Sequence, residues 1–261
     1  MDMNEKPFYV KLPARGLIRV SGPDRHAFLQ NVISNDMNLL QTQPSLYACF
    51  LSIQGKFLHD FFITDDGATS YVECESHDRA EDLFKRLKLY KLRSKIEMAC
   101  EPELTVFAAF GGTLPRDAYP DPRHPLMGYR VWHNAPDGHA ATPFDVWDEH
   151  RIRLGIPDGS RDIKLDRDTL LECNIDKFNG LSHNKGCYIG QEITARMHLR
   201  GLVKNHLYTV ESTEKLPKPF TDIFAGEKLI GQMRSSCVSI GLALLKDEQI
   251  ATLESTSLRV I

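Results

Sequence analysis

Asn184-Lys185-Gly186-Cys187-Tyr188-Ile189-Gly190-Gln191-Glu192-Ile193-Thr194-Ala195-Arg196-Met197-His198-Leu199-Arg200-Gly201 crowds a thiol, early glycines, an amide, a carboxylate and several cations into one loop and one helix. Glycine admits backbone conformations that a side chain forbids. After Gly190 come good helix formers, with apolar Ile189, Ile193 and Met197 at i, i+4 and i+8, so the spacing predicts a helix with Cys187 just ahead of its N-terminus. Unpaired N–H groups and the helix dipole favour a thiolate there, and the Lys185 ammonium two residues earlier acts in the same sense. Glu192, Arg196 and Arg200 repeat every four residues on a neighbouring stripe, in the favourable Glu-before-Arg order. Taken singly, a cysteine is more often a small buried hydrophobe and a Glu/Arg stripe is usually a solvated face. A packing role, however, requires neither both glycines nor Lys185.

The run Lys185-Gly186-Cys187-Tyr188, then Gly190-Gln191-Glu192, Arg196 and Arg200-Gly201, resembles the signature of the YgfZ family of folate-binding proteins, which includes mitochondrial factors for late iron-sulfur cluster assembly. Other blocks resemble that family in the same order: Phe28-Leu29-Gln30, Ser34-Asn35-Asp36, Tyr47, Gln54-Gly55-Lys56, Gly155-Ile156-Pro157 and Glu172-Cys173-Asn174. The resemblance implies the fold of the glycine cleavage aminomethyltransferase. That is an α+β chain with an aminomethyltransferase-like composite folate-binding region over residues 1–201 and a small C-terminal β-barrel over residues 202–261. It also implies tetrahydrofolate or a derivative in a central cavity, with Cys187 at the mouth as the working thiol. Candidate folate-binding residues are Asn35, Tyr47, Asp60, Lys185, Tyr188, Gln191, Glu192, Arg196 and Arg200. Lys185, Arg196 and Arg200 are expected to surround the mouth, where the arginines suit the two carboxylates of a folate glutamate tail.

A thiolate ligates iron, but one cysteine cannot satisfy an iron that takes about four ligands. Any transient iron-sulfur cluster at Cys187 is therefore expected to be shared with a partner bearing further thiols. The expected partners are an A-type iron-sulfur carrier protein or cluster-dependent client enzymes, with an indirect effect on enzymes such as tRNA-modifying ones and no direct contact with nucleic acid or membrane. The alternative is a folate-dependent one-carbon (aminomethyl) transferase. Gly55-Lys56-Phe57-Leu58-His59-Asp60 stands where the glycine cleavage relatives have a segment resembling Gly-Gly-x-x-Asp-Asp, which leaves Asp60, with His59 beside it, for acid/base work.

Composition narrows the class. With 32 basic against 35 acidic residues, the net charge of -3 gives no global attraction to nucleic acid or anionic membrane. No stretch approaches the roughly 20 apolar residues of a membrane span. The opening residues Met1 to Pro7 carry neither a secretory nor a transit pattern, from which a cytoplasmic, bacterial form is expected. The cysteines at 49, 74, 100, 173, 187 and 237 are scattered singly without a C-x-x-C pair, against a zinc ribbon or a self-contained cubane site.

Along the chain, Phe8 to Val10 and Leu17 to Val20 read as strands, followed by a helix from Pro23 with Ser21 or Asp24 as cap. Tyr47 to Ile53, Phe57 to Thr64 and Ser70 to Glu75 read as a three-stranded antiparallel run, and Arg79 to Tyr90 as a helix packed on it. The basic cluster Lys85, Arg86, Lys88, Lys91, Arg93 and Lys95 suits RNA or an acidic partner, although a solvated helix face is the commoner meaning of such a run. Ile96 to Ala99, Leu104 to Phe110 and Tyr129 to His133 read as strands, residues 111–125 as a loop, and Phe144 to Leu154 as a helix. Short β-prone pieces follow Gly201: Val203 to Glu211, Ile223 to Ile230, Gly231 to Arg234, Val238 to Leu245 and Leu258 to Ile261.

Overall fold

The computed structural model describes residues 6–114 and 117–261; residues 1–5, on which most of the targeting expectation rests, lie outside it, as do 115 and 116 of the loop after Phe110. The first half of the chain forms β1 (Phe8–Lys11), β2 (Arg15–Ser21), α1 (Arg25–Val32), β3 (Leu46–Leu51), β4 (Phe57–Asp65), β5 (Thr69–Glu75), α2 (Asp78–Lys91), β6 (Glu97–Leu104) and β7 (Val106–Phe110). Then come β8 (Tyr119–Pro120), β9 (Tyr129–Trp132), β10 (Ala140–Ala141), α3 (Phe144–Arg153) and α4 (Gln191–Arg200). The chain closes with β11 (Asn205–Ser212), β12 (Asp222–Ala225), β13 (Lys228–Cys237), β14 (Ile240–Lys246) and β15 (Leu258–Val260).

The described strands form three five-stranded sheets, ordered β3-β4-β5-β2-β6, β10-β1-β7-β9-β8 and β12-β13-β14-β11-β15. The expected antiparallel run β3-β4-β5 is the core of the first sheet, extended by β2 and β6. Alternation along these strands divides their side chains between two layers. One face packs Ile18, Val20, Phe50, Phe61 and Val72 against Leu29 of α1 and Leu83 and Leu87 of α2. The other face packs Tyr47, Cys49 and Phe62 against Ile163, Leu170, Cys173 and Tyr188 from the irregular segment that leads to α4. All six residues of β3 are buried because both of its faces are covered, which is why Leu46 to Leu51 reads as a continuous run rather than an alternating one.

The second sheet buries Val10, Val106 and Phe110 against Trp147 of α3. The third has its own core of Val210, Ile230, Met233, Ala243 and Leu258, and bulges at Ile223/Phe224 and Met233/Ser235 bend its strands. Two local expectations are revised. Residues 228–237 make one strand through Gly231 rather than two pieces, and Asp24 does not cap α1 with its side chain but accepts the Lys95 N–H at 2.6 Å. The expected loop after Phe110 contains the short edge strand β8.

Gly190 joins the motif helix to the first sheet. Its φ of +78° starts α4, and a Cβ there would lie 2.5 Å from the Ser52 carbonyl oxygen and 2.9 Å from Leu51 Cβ. Gly186, in contrast, faces open space. Gly190→Ala is therefore expected to destabilise the protein by about 2 kcal/mol or more, and Gly186→Ala to change stability by less than about 0.5 kcal/mol. Urea midpoints of the two variants test this; equal midpoints would refute the close seat of α4 on the β3–β4 turn.

Candidate functional site

Where the first two sheets meet, Glu73 of β5 is fully buried and gathers donors from both. It accepts Arg15 Nε of β2 at 2.9 Å, Trp132 Nε1 of β9 at 3.0 Å, the Tyr119 hydroxyl of β8, and the guanidinium of Arg130 of β9. Burial alone would raise the Glu73 carboxyl, but the Arg130 and Arg15 guanidiniums outweigh it and hold it well below the usual range. Arg130 also lies 3.9 Å above the centre of the Phe62 ring. Asp121 pairs with Arg123 at 2.7 Å, and the Arg123 guanidinium sits over Phe62 and Tyr47 at 4.9 and 5.7 Å.

This network borders an inner cavity of about 130 Å³ lined by Arg15, Asp60, Glu75, Arg123 and Arg161 among others. Asp60 of β4 accepts the Tyr47 hydroxyl at 2.9 Å through Oδ2, while its Oδ1 and the Arg15 Nη2 are buried without a partner. Burial, and then the nearby Glu75 carboxylate, push the Asp60 carboxyl up to about 6 against the pull of Arg15 and Tyr47. A second, outer cleft of about 640 Å³ is lined by Asn35, Tyr47, Asp121, Asp176, Asn179 and His183. The Tyr47 ring walls this cleft while its hydroxyl reaches the carboxylate of the inner cavity.

The unpartnered Asp60 Oδ1 and Arg15 Nη2 offer an acceptor and a donor to the same cavity, which suit the N–H and the carbonyl of a pterin ring amide. At roughly 30 Å³ per water, the inner cavity has room for about four waters, enough for a ring system and not for a whole folate.

The motif side chains divide differently from expectation. Cys187 is exposed, whereas Cys49, Cys74, Cys173 and Cys237 are buried and Cys100 is half-buried. Burial pushes the Cys49 and Cys173 thiols far up and the Cys74 thiol to about 12, so none of these three offers a thiolate. Lys185 does not stand beside Cys187 at a mouth. Its ammonium is turned inward and donates to the Gln30, Ile33 and Asn35 carbonyls at 2.7, 2.8 and 2.6 Å. The end of α1 leaves carbonyls without helical partners, and the ammonium satisfies them. Burial lowers its pKa to about 8, offset in part by Asp36.

Tyr188 packs in the layer that holds Tyr47 and Phe62. Gln191 is half-buried, and Glu192, Arg196 and Arg200 are exposed. Among the described residues none of these last three makes an ion pair, so the expected Glu/Arg pairing along the helix is absent. Asn35 lines the outer cleft, but its amide nitrogen donates to the Tyr47 and Asn179 carbonyls at 2.8 and 2.6 Å. Asn35, Tyr47 and Asp60 thus meet around the two cavities, and Cys187 with the helix cations lies on the outer surface.

His59 and Asp60 form no acid/base pair. Adjacent strand residues point to opposite faces, so Asp60 enters the cavity while His59 reaches Asp82 of α2 at 2.8 Å. Sequence reasoning missed Arg15, Glu73, Arg123 and Arg130. A signal was present at Glu73, a carboxylate inside the strand Thr69–Glu75 at a position wholly within the fold.

The model of the CAF17 C-terminal beta-barrel domain matches residues 204–260. The glycine cleavage system aminomethyltransferase T of Bartonella henselae superposes with a TM-score of 0.74 over 94% of this chain and 79% of that one, at 13% identity, which establishes the fold. The human mitochondrial iron-sulfur cluster assembly factor IBA57 is 34% identical over 278 residues, covering 92% of this chain and 78% of that one. The chain belongs to the IBA57 family of iron-sulfur cluster assembly factors. The mouse IBA57 matches at 34% identity with the same coverage, and the Neurospora crassa homologue at 34% over 76% of this chain and 52% of its own. The IBA57 likeness corrects the expectation of a cytoplasmic bacterial form, since these relatives are named as mitochondrial. That expectation rested on Met1 to Pro7, almost all outside the described fold, whereas the likeness runs through the folded body.

Two tests follow from the buried groups of this IBA57-family chain. Lys185→Met leaves three inward carbonyls without their donor and is expected to cost about 2–3 kcal/mol of stability, measured by urea unfolding. Asp60, raised above its unfolded value of about 3.9, contributes most favourably at low pH and progressively less as pH climbs to about 6. Relative to the native protein, Asp60→Asn should therefore gain stability between pH 4 and 6 and hold a constant difference above about 6. A difference independent of pH across that window would show that the Asp60 carboxyl is not raised.

Proposed function

We propose that this chain acts in iron-sulfur cluster assembly by lending the Cys187 thiolate to a cluster shared with a carrier protein, and that it binds a reduced folate of the tetrahydrofolate type. The observation that carries the first part is the placement of Cys187, the exposed cysteine among six, on the loop ahead of α4. Among the described residues no group of three or more His, Cys, Asp or Glu side chains is placed to hold a metal ion. A cluster at Cys187 therefore draws its other ligands from the partner, for which an A-type iron-sulfur carrier is the natural candidate. The names of the IBA57 relatives support the same reading.

For the folate, the ring would sit in the inner cavity against Asp60 and Arg15, with Tyr47 orienting the carboxylate. Asn35 borders the cleft available to the tail. Arg196 and Arg200 are cations on the outer face of α4 and suit a polyglutamate extension or the partner rather than the ring. Such binding matches the likeness of the Lys185 to Glu192 run to the YgfZ folate-binding proteins. Effects on tRNA-modifying enzymes would be indirect, through their clusters.

The Asp60 carboxyl, held near 6 by its burial, favours a second reading as a folate-dependent aminomethyl transferase, because a group with that pKa can exchange a proton near neutral pH. Turnover of an aminomethyl donor in the presence of tetrahydrofolate, abolished by Asp60→Asn, would establish it.

Mixing the protein with an A-type carrier loaded with a [2Fe-2S] cluster tests the main reading. The native chain should change the visible absorbance and circular dichroism of the cluster, and Cys187→Ser should not, while keeping the native melting temperature. Tetrahydrofolate at a hundredfold excess over its Kd should stabilise the protein by about 2.7 kcal/mol, and Asp60→Ala should lose that shift. Full cluster behaviour in Cys187→Ser would sink the thiolate role, and no thermal shift with any reduced folate would sink the folate assignment.

A further inference from the structure

The end of α2 and the chain just after it carry an apolar surface with nothing packed on it. Leu89 is 75% exposed, Leu92 86% and Ile53 of the β3–β4 turn 75%. Two grooves meet at Tyr90. One, of about 540 Å³, is lined by Ile53, Leu89 and Leu165, and the other, of about 440 Å³, by Phe28, Leu92 and Ile189. Ile189, which lines the second groove, is two residues from the exposed Cys187 in the motif loop. The β3–β4 turn that carries Ile53 is seated on Gly190 and Ile193, which brings the first groove to the start of α4 as well.

Asp82 and Asp166 line the first groove and Asp24 the second, but the stretch that runs along the surface is basic. Residues 85–95 contain six cations and no acid. Lys85 and Arg86 are paired with Glu81 and Asp82, but Lys88, Lys91, Arg93 and Lys95 make no ion pair among the described residues. A chain of net charge -3 thus presents a local cluster of uncompensated cations next to three exposed aliphatic side chains. Leu92 also adopts a φ of +45° at the end of α2, a conformation that glycine takes without strain, and directs its side chain to solvent. Apolar centres rimmed by charge of one sign are the usual make-up of a protein contact with a partner of opposite charge.

We infer that this surface, from Ile53 across Leu89 and Leu92 to Ile189, docks a cluster-carrying protein that presents acidic side chains around an apolar centre, and so delivers its cluster to Cys187. The inference rests on the reading of Cys187 as a shared ligand and adds where the partner sits. Docking and ligation are then separable. Surface contacts hold the partner whether or not a cluster is present, and the thiolate engages only the iron. The unpaired cations accelerate encounter and make it sensitive to salt.

The test uses the full chain and an A-type carrier, both cluster-free and loaded, with binding measured by calorimetry at two salt concentrations. Native protein and Cys187→Ser should bind the cluster-free carrier equally. Leu89→Ser with Leu92→Ser, and separately Lys88→Glu with Arg93→Glu, should each weaken it at least tenfold, and the charge reversal should flatten the salt dependence. All four positions are at the surface, and unchanged melting temperatures will verify that the variants fold. If both double variants bind the carrier as the native chain does and still receive its cluster, the docking face is wrong while the role of Cys187 stands. If the native chain binds neither form of the carrier, both readings fall. If these substitutions abolish binding of an RNA hairpin or of phosphatidylglycerol vesicles and leave the carrier unaffected, the surface serves another class of partner and the inference is overturned.

Discussion

A carboxylate buried between two sheets is tolerable only if every oxygen is met by donors that cannot drift away, and Glu73 is such a group. Its partners come from β2, β8 and β9, so one charge requires the first and second sheets to be held in a single arrangement. Removing either arginine would leave an uncompensated ion in a dry interior, which ties the packing of Phe62, Tyr119 and Trp132 to the electrostatics. The same arrangement shapes the inner cavity. Because Glu73 takes Arg15 Nε and the Arg130 guanidinium, Asp60 is left with one oxygen bound to Tyr47 and one free. Burial and the nearby Glu75 carboxylate keep the Asp60 carboxyl raised.

A second fastening holds the motif loop. Lys185 reaches under α1 to three carbonyls, and Gly190 lets α4 start against the backbone of the β3–β4 turn. Between these two anchors lie Gly186, Cys187, Tyr188 and Ile189. Tyr188 turns into the layer shared with Tyr47, while Cys187 is left outside. A thiol held by a loop fixed at both ends is presented in one place without being buried, which suits a group that must engage a metal centre brought by another molecule. It also means that the cation nearest in sequence serves the architecture.

Periodicity and turn chemistry alone placed the β3-β4-β5 run, α2, α3 and the β-rich C-terminal region, because each rests on local rules: alternation, helical spacing of Leu83 and Leu87, and glycine at the turn. The motif singles out Cys187 as part of a dense local grouping, although Lys185 and Gly190 within it serve the packing. What the sequence could not show depends on which distant segments meet. Arg15, Glu73, Arg123 and Arg130 are separated by 7 to 115 positions and become a site only when two sheets close on one another. Lys185 stands two residues from Cys187 in the chain, but the carbonyls at the end of α1, more than 150 residues away, compete for the ammonium and win. His59 and Asp60 were adjacent on paper and are parted by the pleat. Local preference determined which elements form and which loop carries the thiol; the demand that buried charge and backbone groups find partners, met only in the folded chain, decided where each reactive side chain points.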